Sequence, residues 1–275
     1  MNSLNISKDL VVDLTNVIDL YGIQNLANTC LFAGGFINFG YWRNIKTNVR
    51  ITKNKRALAS KRLYERVFNL LAVDESDSVL EVGCGLGNGC ILLHSKFKPR
   101  VIIGVDASPK QIERTISNHK KYLSRYRSEI NFIVGSGENI PVSAESVNKI
   151  FSIEALQHFD SVDQFLQSSF KSLKSNGKIV VTTFFFKNDL KSDLLRCFPN
   201  FKSGVDKIVR INSFLNKLKD QGFIQIKSQS IGRFVWHGFD RWILQTRYKD
   251  TWDKYWIQAY KAGMLDYYII EATKP

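Results

Sequence analysis

Long apolar runs are missing from this chain of 275 residues: nothing in it approaches the roughly 18 consecutive apolar residues that cross a bilayer. Residues 1–8 are polar and carry no signal-peptide core, so a soluble, cytoplasmic protein is expected. Cysteine is scarce. Cys30, Cys84, Cys90 and Cys197 are scattered without metal-ligand spacing, which predicts reduced thiols rather than a disulfide framework. The four histidines, His94, His119, His158 and His237, are equally dispersed, and no metal site is expected. Acid is short as well: 25 Asp and Glu stand against 39 Lys and Arg, a net charge of +14. Such an excess suits nucleic acid, an anionic membrane surface or an acidic substrate. The lysines run along the whole chain, however, and the densest group (Lys53, Lys55, Arg56, Lys61, Arg62, Arg66) falls on what reads as a solvated helix face. Composition and solubility account for the charge on that reading.

What is present is ordered around Val79-Leu80-Glu81-Val82-Gly83-Cys84-Gly85-Leu86-Gly87-Asn88-Gly89. An apolar, β-branched run breaks into glycines on alternate positions, which reads as a buried strand, a tight turn and the start of a helix. The turn's amides point into a crevice at the carboxyl end of the strand, where open α/β sheets bind ligands. Further strands are predicted at Arg100 to Val105, Ile130 to Val134, Lys149 to Ile153 and Lys178 to Phe185, the last after a turn at Asn176-Gly177. Helices are expected from Pro109 and over Val162 to Leu173. This alternation predicts a parallel, helix-flanked sheet.

The flanks read differently. Residues 8 to 28 have helical spacing (Leu10, Val11, Leu14, Val17, Ile18, Tyr21), residues 32 to 42 form a glycine-punctuated aromatic loop or broken helix, and residues 54 to 72 return to helical spacing. Residues 187 to 209 are a polar connection with little pattern. Ser213 to Asp220 is predicted helical, with Gly222 as its cap, and Phe223 to Ile231 and Leu265 to Ala272 as strands. Between these strands, residues 232 to 260 hold four of the five tryptophans, an expected pocket wall or lid in preference to plain packing of cap against body.

Asp106 ends the second strand about 25 residues after Glu81, where an acid can take both hydroxyls of a ribose. With Glu81 two residues ahead of Gly83-x-Gly85-x-Gly87, the order resembles motif I of the class I S-adenosylmethionine-dependent methyltransferases. Ser136-Gly137-Glu138-Asn139-Ile140-Pro141 resembles the loop after that family's third strand, and Ser152-Ile153-Glu154-Ala155-Leu156-Gln157-His158-Phe159 the segment after its fourth. Asn38-Phe39-Gly40-Tyr41-Trp42 and Gly263 to Ile270 look like segments of the small-molecule branch that includes ubiquinone-biosynthesis, tocopherol and natural-product sugar methyltransferases.

The resemblance implies a Rossmann-like, seven-stranded, mainly parallel sheet flanked by helices. An N-terminal helical cap and aromatic segment would occupy residues 1–53. The methyltransferase domain would occupy 54–275, with 187–212 and 232–262 as cap or lid insertions. It implies S-adenosylmethionine as cofactor, with S-adenosylhomocysteine as product. Cofactor contacts fall at Tyr41, Glu81, Gly83, Gly85, Gly87, Asp106, Ala107, Gln111, Gly137, Glu138, Asn139 and Glu154. Glu81 either meets the cofactor's amino group or supports the loop; Ala107 lies beneath the purine; Glu138 meets the adenine amino group; Tyr41 sits near the methionine end. His158 lies beside the transferable methyl and can take a proton from a hydroxyl. His237 is a second candidate base, and His94 and His119 are expected on the surface. The activity implied is methylation of a small, partly apolar metabolite or natural product, at oxygen in preference to nitrogen or carbon. A nucleic-acid methyltransferase is the rival that the charge suggests, but the segment after the fourth strand lacks a Pro-Pro-aromatic motif. A cofactor-binding protein or cyclase on the same fold is the other rival. Homo-oligomerisation is left open.

Overall fold

The computed structural model describes residues 29, 31–187 and 197–275. The helix expected over 8–28, the core of the proposed cap, and Cys30 lie outside the described residues, as does 188–196 of the polar connection.

Among the described residues, seven strands form one sheet. In chain order they are β1 (Ser78–Val82), β2 (Val101–Asp106), β3 (Ile130–Val134), β4 (Val147–Ile153), β5 (Leu173–Phe186), β6 (Ile224–Ser230) and β7 (Leu265–Thr273). Their spatial order is β3-β2-β1-β4-β5-β7-β6; β7 runs antiparallel to both of its neighbours, and β1 to β5 pair parallel. The order reverses between β1 and β4, which opens a crevice at their carboxyl ends.

β1 is buried throughout because helices cover both faces. Val79, Phe151, Val180 and Phe184 enter one core, Leu80, Ile150, Val181 and Phe185 the other, as the two-residue period of a strand requires. α1 (Lys53–Leu71) starts at Thr52, whose side chain accepts the Lys55 N–H, and presents Ala59, Leu63, Val67 and Leu71 to the first core. α2 (Asn88–Phe97) follows the glycine turn. α3 (Pro109–Asn118) is capped by Ser108 with proline at its first position, and α4 (Lys120–Arg125) continues it. α5 (Val162–Ser172) and, after the short α6 (Pro199–Lys202), α7 (Ile211–Asp220) pack on the second core.

Three expectations change. β5 begins at Leu173, so Asn176-Gly177 is not a turn ahead of the strand. It is an irregularity within it: Asn176 has φ 62°, and the register against β4 shifts between Val147 and Lys149. Residues 232–262 contain two helices, α8 (Trp236–Ile243) and α9 (Tyr255–Lys261), whose brevity hid them from periodicity. Arg56, read as part of a solvated face, is fully buried. Its guanidinium donates to the carbonyls of Leu31 and Asn38 and to the Ser60 hydroxyl, lies near the rings of Trp42 and Phe239, and ties residues 31–42 down onto α1. Burial lowers its pKa to about 10, Glu154 opposing.

Candidate active site

The crevice is a cleft of about 420 Å³, within the usual range for a site that encloses a small ligand. The turn after β1 forms its floor. Gly83 has φ +78°, and a Cβ there would come within 2.3 Å of the Ala155 Cβ, so no other residue fits. Gly85 also has positive φ, but a Cβ on it would meet nothing nearer than the Gln111 Nε2 at 4.0 Å; it would stand in the cleft itself. The Gly83 and Cys84 amides donate to the Val105 carbonyl, tying the turn to the end of β2.

Asp106 faces the floor. Its Oδ2 accepts the Gly85 N–H at 2.8 Å and its Oδ1 the Ser108 N–H at 3.0 Å. Each oxygen keeps a lone pair for a further donor. Burial raises the Asp106 pKa, while the two amides pull it down. Ala107, Gln111, Gly137 and Glu138 line the same cleft, as do Gly83 and Gly85. Glu138 Oε1 accepts the Asp160 N–H at 2.7 Å, which fixes the carboxylate on the wall. Gly137 packs against the Phe159 ring.

Glu154, just past β4, has φ 51°. Its Oε1 accepts the Phe39 N–H at 2.7 Å and the Tyr267 hydroxyl at 2.6 Å, so one carboxylate joins the cleft, the 31–42 segment and β7. Burial pushes its pKa to about 8 against these bonds. His158 sits one short turn further on and lines the cleft. Its Nδ1 stands 3.1 Å from Asp206 Oδ1 and 3.2 Å from the Val205 carbonyl, and its Nε2 lies 3.3 Å from the Gln157 amide nitrogen. An Nδ1–H donor and an Nε2 lone pair satisfy this network. Burial lowers the His158 pKa, but Asp206, Val205 and Glu154 together outweigh it, and the net shift is upward.

Other expected residues fall away from the cleft. Glu81 is completely buried beneath the helix start, where its oxygens take the Tyr64 hydroxyl at 3.1 Å and the Cys90 thiol at 3.0 Å. It stands beneath the turn and outside the cleft lining, and burial raises its pKa to about 8. Gly87 packs against Thr115 and Phe132, Asn139 is exposed, and Tyr41 packs edge-on to Phe234; none of the three lines the cleft. His237 is exposed and also outside it. His94, expected on the surface, is buried, with its ring nitrogens against the Tyr122 hydroxyl and Glu129.

The aromatic segment does not form the cleft wall either. Trp236 and Trp256 stack at 5.5 Å and 9°, with Phe39 and Tyr267 beside Trp236, all within the core. Gly35, Phe36 and Ile37 form one flank of the cleft lining, and Gly204, Val205 and Lys207 another. Asn88 donates to the Gly35 carbonyl at 2.8 Å, holding the first flank against the glycine turn. Tyr64, Asn88, Asp206 and Lys207 escaped the sequence reading. Asn88 alone had a signal, its position inside the glycine run.

Residues 73–231, more than half of the chain, match a family model described as a methyltransferase domain. Erythromycin 3''-O-methyltransferase of Saccharopolyspora erythraea is 24% identical over 208 residues, covering 72% of this chain and 65% of that protein, just under two thirds of its length. 27-O-Demethylrifamycin SV methyltransferase of Amycolatopsis mediterranei is 21% identical over 205 residues, covering 74% and 71%. Among solved structures, geranyl diphosphate C-methyltransferase of Streptomyces coelicolor superposes with a TM-score of 0.80 over 96% of this chain and 100% of that one; at 14% identity this likeness is one of fold. The glycine turn, the acid at the end of β2 and the family match agree: this chain belongs to the methyltransferase-domain family.

Proposed function

We propose that the chain methylates a small, partly apolar metabolite or natural product from S-adenosylmethionine, at a hydroxyl oxygen in preference to nitrogen or carbon. The observation that carries this reading is the pairing of Asp106 with an open Gly85 at the carboxyl ends of β1 and β2. That cradle fits the cofactor: a Cβ at Gly85 would fill it, and Asp106 retains lone pairs for two ribose hydroxyls. Two of the named relatives, the erythromycin 3''-O-methyltransferase and the 27-O-demethylrifamycin SV methyltransferase, support a small-molecule acceptor.

Asp106 would hold the ribose, Ala107 would lie under the purine and Glu138 would meet the adenine amino group. Gly83, Gly85, Gln111 and Gly137 shape the walls, and Glu154 would serve the amino acid end. Glu81 supports this surface from below through Tyr64, which lines the cleft. When bound, S-adenosylmethionine supplies an electrophilic methyl group. The chain's share is alignment, exclusion of water and removal of one proton. His158 takes the acceptor's hydroxyl proton at Nε2, where the acceptor displaces the Gln157 amide; its Nδ1–H goes to the Val205 carbonyl, and the Asp206 carboxylate 3.1 Å from Nδ1 stabilises the resulting imidazolium. Asp206 is a positioning residue; Asn200 fixes its other oxygen at 3.1 Å. The acceptor enters between the Phe36–Ile37 and Val205–Lys207 flanks. A cytoplasmic enzyme with a small-molecule rather than a nucleic-acid acceptor completes the reading.

The test is incubation with methyl-labelled S-adenosylmethionine and hydroxylated acceptors. Label in the acceptor with one S-adenosylhomocysteine per transfer is expected, and His158→Ala should lower kcat by roughly 10²–10⁴ with cofactor affinity unchanged. Cofactor binding without S-adenosylhomocysteine across the acceptor panel, or label passing to RNA in preference, overturns the reading.

A further inference from the structure

Among the described residues, the large apolar side chains most exposed to solvent are Val49 and Leu244, at 51% and 50%. They belong to neighbouring segments. The Ile51 N–H donates to Gln245 Oε1 at 2.8 Å, and Ile51, Ile243 and Tyr248 share one core directly beneath. Both segments are free of acid: residues 43–53 hold four Lys and Arg, residues 241–249 hold three, and neither holds an Asp or Glu. Indeed no acid occurs anywhere between Asp19 and Glu65. Arg43, Lys46, Arg50, Lys53 and Arg241, on the same two segments as the two aliphatic side chains, are all exposed. The nearest acid beyond the second segment is Asp250, also exposed; on the other side Asp240 is partly buried, beside Arg241, His237 and Lys261.

Aliphatic tips ringed by cations suit a surface that is anionic at headgroup depth and apolar just below it. A single-stranded nucleic acid would call instead for open aromatic faces. Here those faces are occupied internally: Arg233 and Arg43 lie over the Phe234 ring at 4.5 and 5.3 Å, and Arg247 lies over Tyr248 at 5.2 Å. We propose that the face formed by residues 43–53 and 241–249 docks on a membrane surface carrying anionic phospholipid. Val49 and Leu244 enter the acyl boundary, and Lys46, Arg50, Lys53 and Arg241 meet the headgroup phosphates. This attachment is peripheral, since no helix among the described residues is long and apolar enough to cross a membrane. It is independent of methyl transfer and needs no bound cofactor.

Flotation of the full chain with vesicles tests it. Binding is expected to phosphatidylcholine vesicles containing phosphatidylserine, to fall as salt rises, and to be absent with phosphatidylcholine alone. At about fivefold per cation, Lys46→Gln with Arg50→Gln should weaken binding about 25-fold. Val49→Ser with Leu244→Ser, which leaves the charge intact, should weaken it about tenfold. Both pairs are on the surface, and an unchanged thermal midpoint confirms that each variant is folded. Three results overturn the proposal: no binding at low salt, equal binding to neutral and anionic vesicles, or a Val49→Ser/Leu244→Ser variant that binds like the parent. The last of these, with RNA competing the chain off the vesicles, would mark the face as a general polyanion surface.

Discussion

Asp206 brings one oxygen to within 3.1 Å of His158 Nδ1, so neutralising it without changing its shape isolates the role of its charge. Because Asp206 helps hold the His158 pKa above its usual value, Asp206→Asn should move the ascending limb of the kcat–pH profile to lower pH while reducing kcat. A pH–rate series on the two proteins checks this, and an unmoved limb would deny Asp206 any hold on His158. Nothing local marked Asp206 in the sequence: it lies in a polar connection without periodicity, and only tertiary folding brings it to His158. Asp106 and Glu138, by contrast, were legible as cleft-lining residues because each closes a strand or follows one at a recognisable spacing. Glu81 was legible as important, but its contacts were not, since Tyr64 and Cys90 come from two different helices. Its folded pKa of about 8 exceeds the ordinary 4.5. Between those values the folded chain keeps a proton that the unfolded chain has lost, so this group makes stability fall as pH rises from about 4.5 to about 8. Glu81→Gln removes that slope, and its advantage over the parent should grow through this window and level off above it. Urea midpoints measured across about pH 5 to 9 report it.

The glycine turn separates folding from binding within three residues. Gly83→Ala meets both positive φ and a 2.3 Å approach to Ala155, and the chain should lose about 3 kcal/mol or more, read by urea unfolding. Gly85→Ala meets only positive φ, so it should cost about 1 kcal/mol yet abolish cofactor binding by calorimetry, because its methyl stands in the cradle. The 31–42 segment depends on Arg56 in a similar way. Arg56→Met strands the buried Asn38 carbonyl and leaves the Leu31 carbonyl with the Trp242 indole as its donor, and should destabilise by about 2 kcal/mol. Strands β1 to β4 were readable because apolar runs with sharp polar ends leave little choice. The two helices inside 232–262 were not. They are eight and seven residues long, and their tryptophans serve the core rather than the cleft, a distinction composition alone cannot make.

Across the whole molecule, the sheet divides labour between its two halves. β1 to β4 carry the acid and glycine residues of the cleft floor, while β5 to β7 hold the aromatic core to which Glu154 is tied through Tyr267. A ligand bridging the floor and the 35–37 flank should therefore stabilise the molecule as a unit. At a hundredfold excess over Kd the gain is about 2.7 kcal/mol, which raises Tm by roughly 5–10 °C in a chain of this size. Thermal scans with S-adenosylhomocysteine should show it, and Asp106→Ala should remove it. The placement of β7 between β5 and β6 reaches further, into synthesis. Both neighbours precede β7 in the chain, so on a ribosome β5 carries a bare edge and β6 has no strand to pair with until residues 265–273 emerge. At about 5–20 residues per second that interval lasts several seconds for β5. During it the nascent chain displays a Phe184-Phe185-Phe186 edge to its surroundings, and that is when a chaperone has most to shield.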